Sequence, residues 1–284
     1  MKTSNQFLMS LLLLMLPLLT TTRALAAQIG ADEIMARSAT AYDSKDLFSR
    51  ISFTFSQRGV ADKKIAVYMA FKDYHGKRGI DSKIIMFNQF PPDKKDISFL
   101  AWLYAPETHK KDDMWLYLPA LRTIRKMNHQ DHQMQHDDKN KDAFSLSDLK
   151  RFELQERDPQ LDRHQLAGKE QLGAHETYKI ISIPKKPGSS PYGKTVHWIT
   201  TNNFLPVQRE YFDHQGRLIK RQTIQWTTQN HTWVWKRVTA INLESGHRTI
   251  LQQTNVKANS GLADRIFSKR FMKRGAGTLV AHIR

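Results

Sequence analysis

The stretch Asp112-Asp113-Met114-Trp115-Leu116-Tyr117-Leu118-Pro119-Ala120-Leu121-Arg122-Thr123-Ile124-Arg125 decides how the rest of this chain is read. Met114 to Leu118 are five consecutive large apolar or aromatic residues, bounded by two Asp on one side and a Pro on the other. An antiparallel sheet commonly leaves one face wet and its sequence then alternates, so a strand apolar on both faces needs two coverings. One covering is the ordinary core; the other is a lid or a bound apolar ligand. Arg122, Arg125 and Lys126 follow directly. A greasy interior beside a cationic rim suggests an amphiphile with an anionic or polar head.

Outward from this strand the same grammar repeats. Ile51, Phe53 and Phe55 alternate with Ser52, Thr54 and Ser56, and Ile65, Val67, Met69 and Phe71 alternate again after a turn near Gly59. Strand patterns follow over Lys83 to Phe87, Ile97 to Tyr104 and Thr123 to Lys126. From Asn128 to Asp142 the pattern gives way to a polar run rich in His and Asp. It resumes at Arg151 to Glu156, Leu161 to Gln171, Thr177 to Ile183, Lys194 to Thr200 and Pro206 to Phe212. Three long strands close the series: Arg217 to Thr227, Trp233 to Leu243 and His247 to Ala258, with short Gly-bearing turns before the first and third. Ala31 to Ser44 has the spacing of one amphipathic helix, and Leu262 to Arg274 is basic and helical in pattern. The expectation is one curved antiparallel sheet of about ten to twelve strands with a few helices.

The first residues read as a secretory leader: Lys2, an apolar run from Phe7 to Leu19 and the small-residue site Ala24-Leu25-Ala26. Residues 1–26 are therefore expected to be a signal peptide, and 27–284 a single half-barrel domain. The leader carries Lys2 and Arg23 and no acid, so its removal lowers the formal charge of +17 by two, to +15. The chain has no cysteine, which removes disulfides, thiolate metal sites and thiol nucleophiles. A periplasm of the Gram-negative type fits an exported, staple-free chain that relies on its own core. The positive charge favours an anionic membrane surface, whereas export and the scatter of basic residues argue against nucleic acid.

Chemistry-bearing motifs are sparse. No G-x-S-x-G elbow is present, and Asp112 with Asp113 reads as a turn marker, so no catalytic residues are expected and the chain is not read as an enzyme. His129, His132 and His136 have the spacing of one helix face, but nothing else indicates a helix and no HExxH pattern exists, so no metal is assigned. Asp138 to Asp142 imitates a calcium loop and then has Ala143 where Gly is needed and Leu149 where a bidentate Glu belongs. No cofactor is expected.

Taken in order, the residues resemble a known family. Asp113 to Pro119 with Arg122 and Arg125 is similar to the central signature of the outer-membrane lipoprotein-sorting protein family, the LolA-like group of periplasmic carriers. Asp142-Ala143-Phe144-Ser145-Leu146-Ser147-Asp148-Leu149 resembles its next element. So do Asn203-Phe204-Leu205-Pro206-Val207, Gly216-Arg217-Leu218-Ile219-Lys220 and the closing Gly261 to Phe271. The insert from Asn128 to Lys141 and Ala143 depart from the pattern. The resemblance implies a half-open antiparallel barrel wrapped round a helical plug, whose apolar concavity receives acyl chains. It implies as partners an acyl lipid or lipoprotein and, for some relatives, an inner-membrane RND-type exporter. The alternative is a non-catalytic accessory or regulatory partner of such an exporter or of an envelope-stress system. On this reading Phe53, Phe55, Met69, Phe71, Trp102, Trp115 and Tyr117 are candidates for the apolar cavity, and Arg122 and Arg125 for its headgroup rim.

Overall fold

The computed structural model describes residues 29–127, 148–149, 153 and 157–283. The expected leader, the His-rich run with its metal candidates and most of the strand expected over Arg151 to Glu156 lie outside the described residues. Glu153 itself stands in a 3₁₀ turn.

Among the described residues thirteen strands form one antiparallel sheet. Six run down one limb: β1 (Asp46–Gln57), β2 (Val60–Asp73), β3 (Ile80–Phe90), β4 (Ser98–Tyr104), β5 (Asp113–Leu118) and β6 (Thr123–Met127). Seven form the other: β7 (Asp162–Leu172), β8 (His175–Pro184), β9 (Lys194–Thr200), β10 (Pro206–Phe212), β11 (Leu218–Gln229), β12 (Thr232–Asn242) and β13 (Arg248–Ala258). The spatial order is β6-β5-β4-β3-β2-β1-β13-β12-β11-β10-β9-β8-β7. Every neighbouring pair is therefore a sequence-adjacent hairpin except β1 with β13, where the two ends of the meander meet, Phe53 opposite Leu251 and Ile51 opposite Gln253. The sheet stays open, with β6 and β7 as its two edges. The opening strand is β5, one place from an edge.

Helices cover both faces. α1 (Ala31–Thr40) lies on one face, where Ile34 and Met35 pack on Ile180 of β8 and Ile199 of β9. α2 (Lys269–Met272) and α3 (Gly275–Ile283) lie on the opposite face, over β1 to β5. The expected C-terminal helix is thus a 3₁₀ turn at Asp264–Ile266 followed by two helices, the second running on from Gly275, beyond the basic segment. Gly275 and the turn before it break what the pattern joined. The helices therefore sit on both faces, α2 and α3 on one and α1 on the other.

Register explains how a five-residue apolar run is satisfied. Trp115 and Tyr117 of β5 share a face with Leu100, Ile85, Phe87, Ala70 and Phe48 of the neighbouring strands, and on that face they pack with Phe267, Phe271, Met272 and Leu279. Trp102 Nε1 donates to Phe267 O at 3.0 Å and Ser98 Oγ to Met272 O at 3.1 Å, fixing the helices in place. The approach is set by Asp46, a buried carboxylate accepting from the backbone N–H groups of Ser260, Gly261 and Leu262 at 2.8 to 3.2 Å. Asp264 then meets Lys72 at 2.7 Å.

Candidate functional site

The other side of those same strands is different. Met69 and Phe71 of β2, Ile84 and Met86 of β3, Phe99 and Leu103 of β4 are large apolar side chains, yet each is only half-buried. Their neighbours on the helix-covered side, such as Ala70, Ile85, Phe87 and Leu100, are completely buried. Apolar residues left half-exposed in a contiguous row normally signal something to be covered. They face a cavity of about 570 Å³, inside the range typical of small-molecule sites.

Four parts of the chain build its walls. β2 to β5 supply the apolar row and Met114; β1 and β13 supply Leu47, Ile51, Leu251 and Gln253. β11 and β12 supply Trp226, Trp233, Val234 and Trp235. Three successive residues, Trp233 to Trp235, reach one cavity because the β11–β12 register slips between Gln225 and Trp226, which interrupts strict alternation. The last side is the end of α1 (Ala39, Tyr42, Asp43, Ser44) with Arg157, Asp158 and Pro159. Tyr42 packs on Trp226 at 4.7 Å between ring centroids, joining helix to sheet.

The polar part of the lining is acidic. Asp43, Asp73, Asp112 and Asp158 all border the cavity. Burial raises the Asp43 carboxyl above its usual range, the nearby Asp73 charge raises it further, and His75 partly offsets this. Asp81, close by, is raised by burial first, with Asp73 and Asp112 adding to the effect. Arg157 is the cationic member, and it is engaged: its Nε donates to Asp162 at 3.0 Å and its terminal nitrogens to Ser189 at 3.1 Å. Asp112 accepts from the Tyr104 backbone N–H at 3.0 Å, while Asp113 meets Lys126 at 2.7 Å, so the pair does fasten a hairpin.

The structure divides the seven apolar candidates among three places. Met69 and Phe71 line the cavity. Phe53 and Phe55 lie on the same side of β1 but pack into the adjoining core with Val67, Val238 and Leu251. Trp102, Trp115 and Tyr117 face the other way, under α2 and α3, so the cavity wall does not include them. Arg122 is exposed at the β5–β6 turn with φ of 49°, and Arg125 is exposed on β6. Neither borders the cavity, whose described rim carries carboxylates.

Sequence reasoning missed Trp226, Trp233, Trp235, Tyr42 and Gln253. The three tryptophans carried a signal, since Trp233-Val234-Trp235 is as dense an apolar cluster as the opening strand. It also missed a buried polar anchor. Lys220 Nζ meets the Glu153 carboxylate, the Tyr192 hydroxyl at 2.5 Å and the Asp148 carbonyl at 3.1 Å, and Arg209 donates to the Glu153 carbonyl at 2.9 Å. Leu149 sits fully buried beside it in the core. The Asp148-Leu149 and Gly216-to-Lys220 motifs thus meet, pinning the chain before β7 against the inner face of the sheet. Tyr192 is pushed well above the usual phenol range by burial and then by Glu153. Among the described residues no group of His, Cys, Asp or Glu is arranged to hold a metal ion.

A family model described as an uncharacterized protein matches residues 80–274, about two thirds of the chain. No curated protein matches. A solved DUF1329 family protein from Desulfovibrio piger is 20% identical, with TM-score 0.69, covering 85% of this chain and 97% of its own. A putative outer membrane lipoprotein-sorting protein domain from Vibrio parahaemolyticus is 20% identical, with TM-score 0.67, covering 86% and 98%. A LolA superfamily protein from Nitrosomonas europaea is 15% identical, with TM-score 0.57, covering 86% and 99%. At these identities the likeness is one of fold.

Proposed function

We propose that this chain, which belongs to the family of uncharacterized proteins whose model matches residues 80–274, is a non-catalytic periplasmic carrier of the LolA-like type that its fold resembles, reversibly burying acyl chains of a lipid or lipoprotein in its apolar cavity. Residues 27–284 act as one carrier unit on this reading, delivered by the leader at 1–26. The observation that carries it is the asymmetry of β2 to β4: one face packed to completion, the other an apolar row left half-exposed to about 570 Å³ of space.

The energetics suit a shuttle. Each acyl CH₂ removed from water gains about 0.8 kcal/mol. Moving it from a bilayer into a dry apolar cavity is close to neutral, so loading and release need no strong specific contact. Met69, Met86 and Met114 adapt to chains of varied shape, and three tryptophans give the wall area at little entropic cost. The net positive charge favours encounter with anionic membranes that donate or receive the cargo.

Native mass spectrometry of the purified mature chain, followed by lipid extraction, tests the proposal. Stoichiometric acyl lipid, and transfer of a fluorescent fatty acyl probe between vesicles, are expected. A chain that carries no acyl species, moves no probe and still captures an inner-membrane exporter would leave the accessory-partner reading in its place.

A further inference from the structure

Resting on the carrier reading, we infer that the cavity takes one single-chain amphiphile at a time and selects a head that is an ammonium group over one that is a carboxylate or phosphate alone.

Size sets the first half. A methylene takes about the 30 Å³ that a water molecule occupies in the liquid, so about 570 Å³ holds roughly nineteen such groups. That is one acyl chain of about sixteen to eighteen carbons by the same measure, with no room for a second.

Three independent features set the second half, and all favour a hydrogen-bond donor with positive charge. The first is Gln253, which lines the cavity and is 5% exposed; its Nε2 donates to Ser49 Oγ at 2.9 Å, and its Oε1 is buried with no hydrogen-bond partner among the described residues. A buried acceptor left alone carries a desolvation cost that a ligand N–H or O–H removes and an anionic head cannot. The second is the rim: Asp43, Asp73 and Asp112 come from separate segments to line one cavity, and carboxylates gathered there attract a cation and repel an anion. His75, 3.2 Å from Asp73, offsets part of that field, and Arg157 is occupied by Asp162 and Ser189. The third is aromatic. Tyr42 on Trp226, directly beside Asp43, presents ring faces of the kind that hold ammonium groups. The +17 overall charge makes this acidic mouth a local reversal on a basic protein, so general electrostatics does not account for it.

The experiment titrates the full mature chain with three probes sharing one twelve-carbon tail: dodecylammonium, monolauroylglycerol and laurate. Tryptophan fluorescence reports binding, since Trp226, Trp233 and Trp235 line the cavity, and native mass spectrometry counts chains. The expected result is one probe per protein and the ammonium at least tenfold tighter than laurate, which is about 1.4 kcal/mol. In Asp43→Asn with Asp73→Asn that ratio falls toward one. Equal affinities, or laurate tighter, with monolauroylglycerol bound, overturn the head selection and leave the carrier intact. Two or more chains per protein overturn the single-chain reading. If none of the three binds, the carrier proposal itself fails.

Discussion

Trp115→Ala separates the two faces of β5 experimentally. The indole is 5% exposed, sits edge-on to Trp102 at 5.3 Å and has Lys269 Nζ 4.5 Å from its ring centroid, all beneath the α2–α3 layer. An aromatic of this kind buries about 150–250 Å², which at roughly 25 cal/mol per Å² amounts to about 5 kcal/mol. Aromatic-to-alanine changes in cores cost about 3–5 kcal/mol because the cavity left behind relaxes only in part. A loss of about 4 kcal/mol is a large share of a domain stability of roughly 5–15 kcal/mol. For a chain of this length it lowers the thermal midpoint by about 8–16 °C. Phe71→Ala is the counterpart. Its ring is half-exposed to space that already exists, so the stability cost is about 1–2 kcal/mol, while part of the wall proposed to hold the acyl chain is lost. Thermal unfolding followed by circular dichroism, with probe titration well below both midpoints, reads the two effects separately. The assignment of faces is refuted if Trp115→Ala moves the midpoint by less than about 3 °C yet abolishes probe binding, or if Phe71→Ala unfolds the protein and spares binding.

Two further outcomes follow from the polar groups. Glu153→Ala removes the carboxylate beside the buried Lys220 ammonium, so it is expected to cost about 3–5 kcal/mol; thermal unfolding reads the loss, and Glu153→Ala with Lys220→Met recovers part of it. Acid titration separates opposing carboxylates. Asp264, held low chiefly by its bond to Lys72, and Asp113, held low chiefly by Lys126, contribute stability above the ordinary carboxylate range that is lost as pH falls through their depressed values. Asp43 and Asp81, raised by burial, oppose folding when charged, and that cost disappears as pH falls through their raised values. The thermal midpoint of Asp43→Asn therefore exceeds that of the natural chain at neutral pH and equals it once the native carboxyl is protonated; a gap that persists in acid would refute this.

Much of the architecture was legible because alternation is a local property. Ile51-Phe53-Phe55 and Ile65-Val67-Met69-Phe71 appear as β1 and β2 with the expected side facing inward. The hairpin turns at Gly216 and Gly246 have positive φ, 82° and 69°, as their glycines indicated. Among the described residues the strands number thirteen, where about ten to twelve were expected. Even the short polar edge strand β6, Thr123–Met127, lies where a strand was expected over Thr123 to Lys126. The candidate site was less legible. Trp115, Tyr117, Met69 and Phe71 look alike in a sequence, because chain pattern distinguishes the two faces of a strand and does not say which face meets a helix and which meets empty space.

The chain by itself determined that β5 is apolar on both faces, since Met114 to Leu118 are five consecutive large apolar residues. It also determined an antiparallel meander and a chain that is strongly basic. Only the tertiary structure decided that α2 and α3 cover the Trp115 side and that the Met114 side opens on the cavity. That choice depends on where residues some 150 positions later come to rest, held by Asp46, Lys72 and Ser98. The reversal of charge at the cavity mouth has the same origin. Asp43, Asp73 and Asp112 are separated by 30 and 39 residues in sequence, and their shared field exists because separate segments line one cavity.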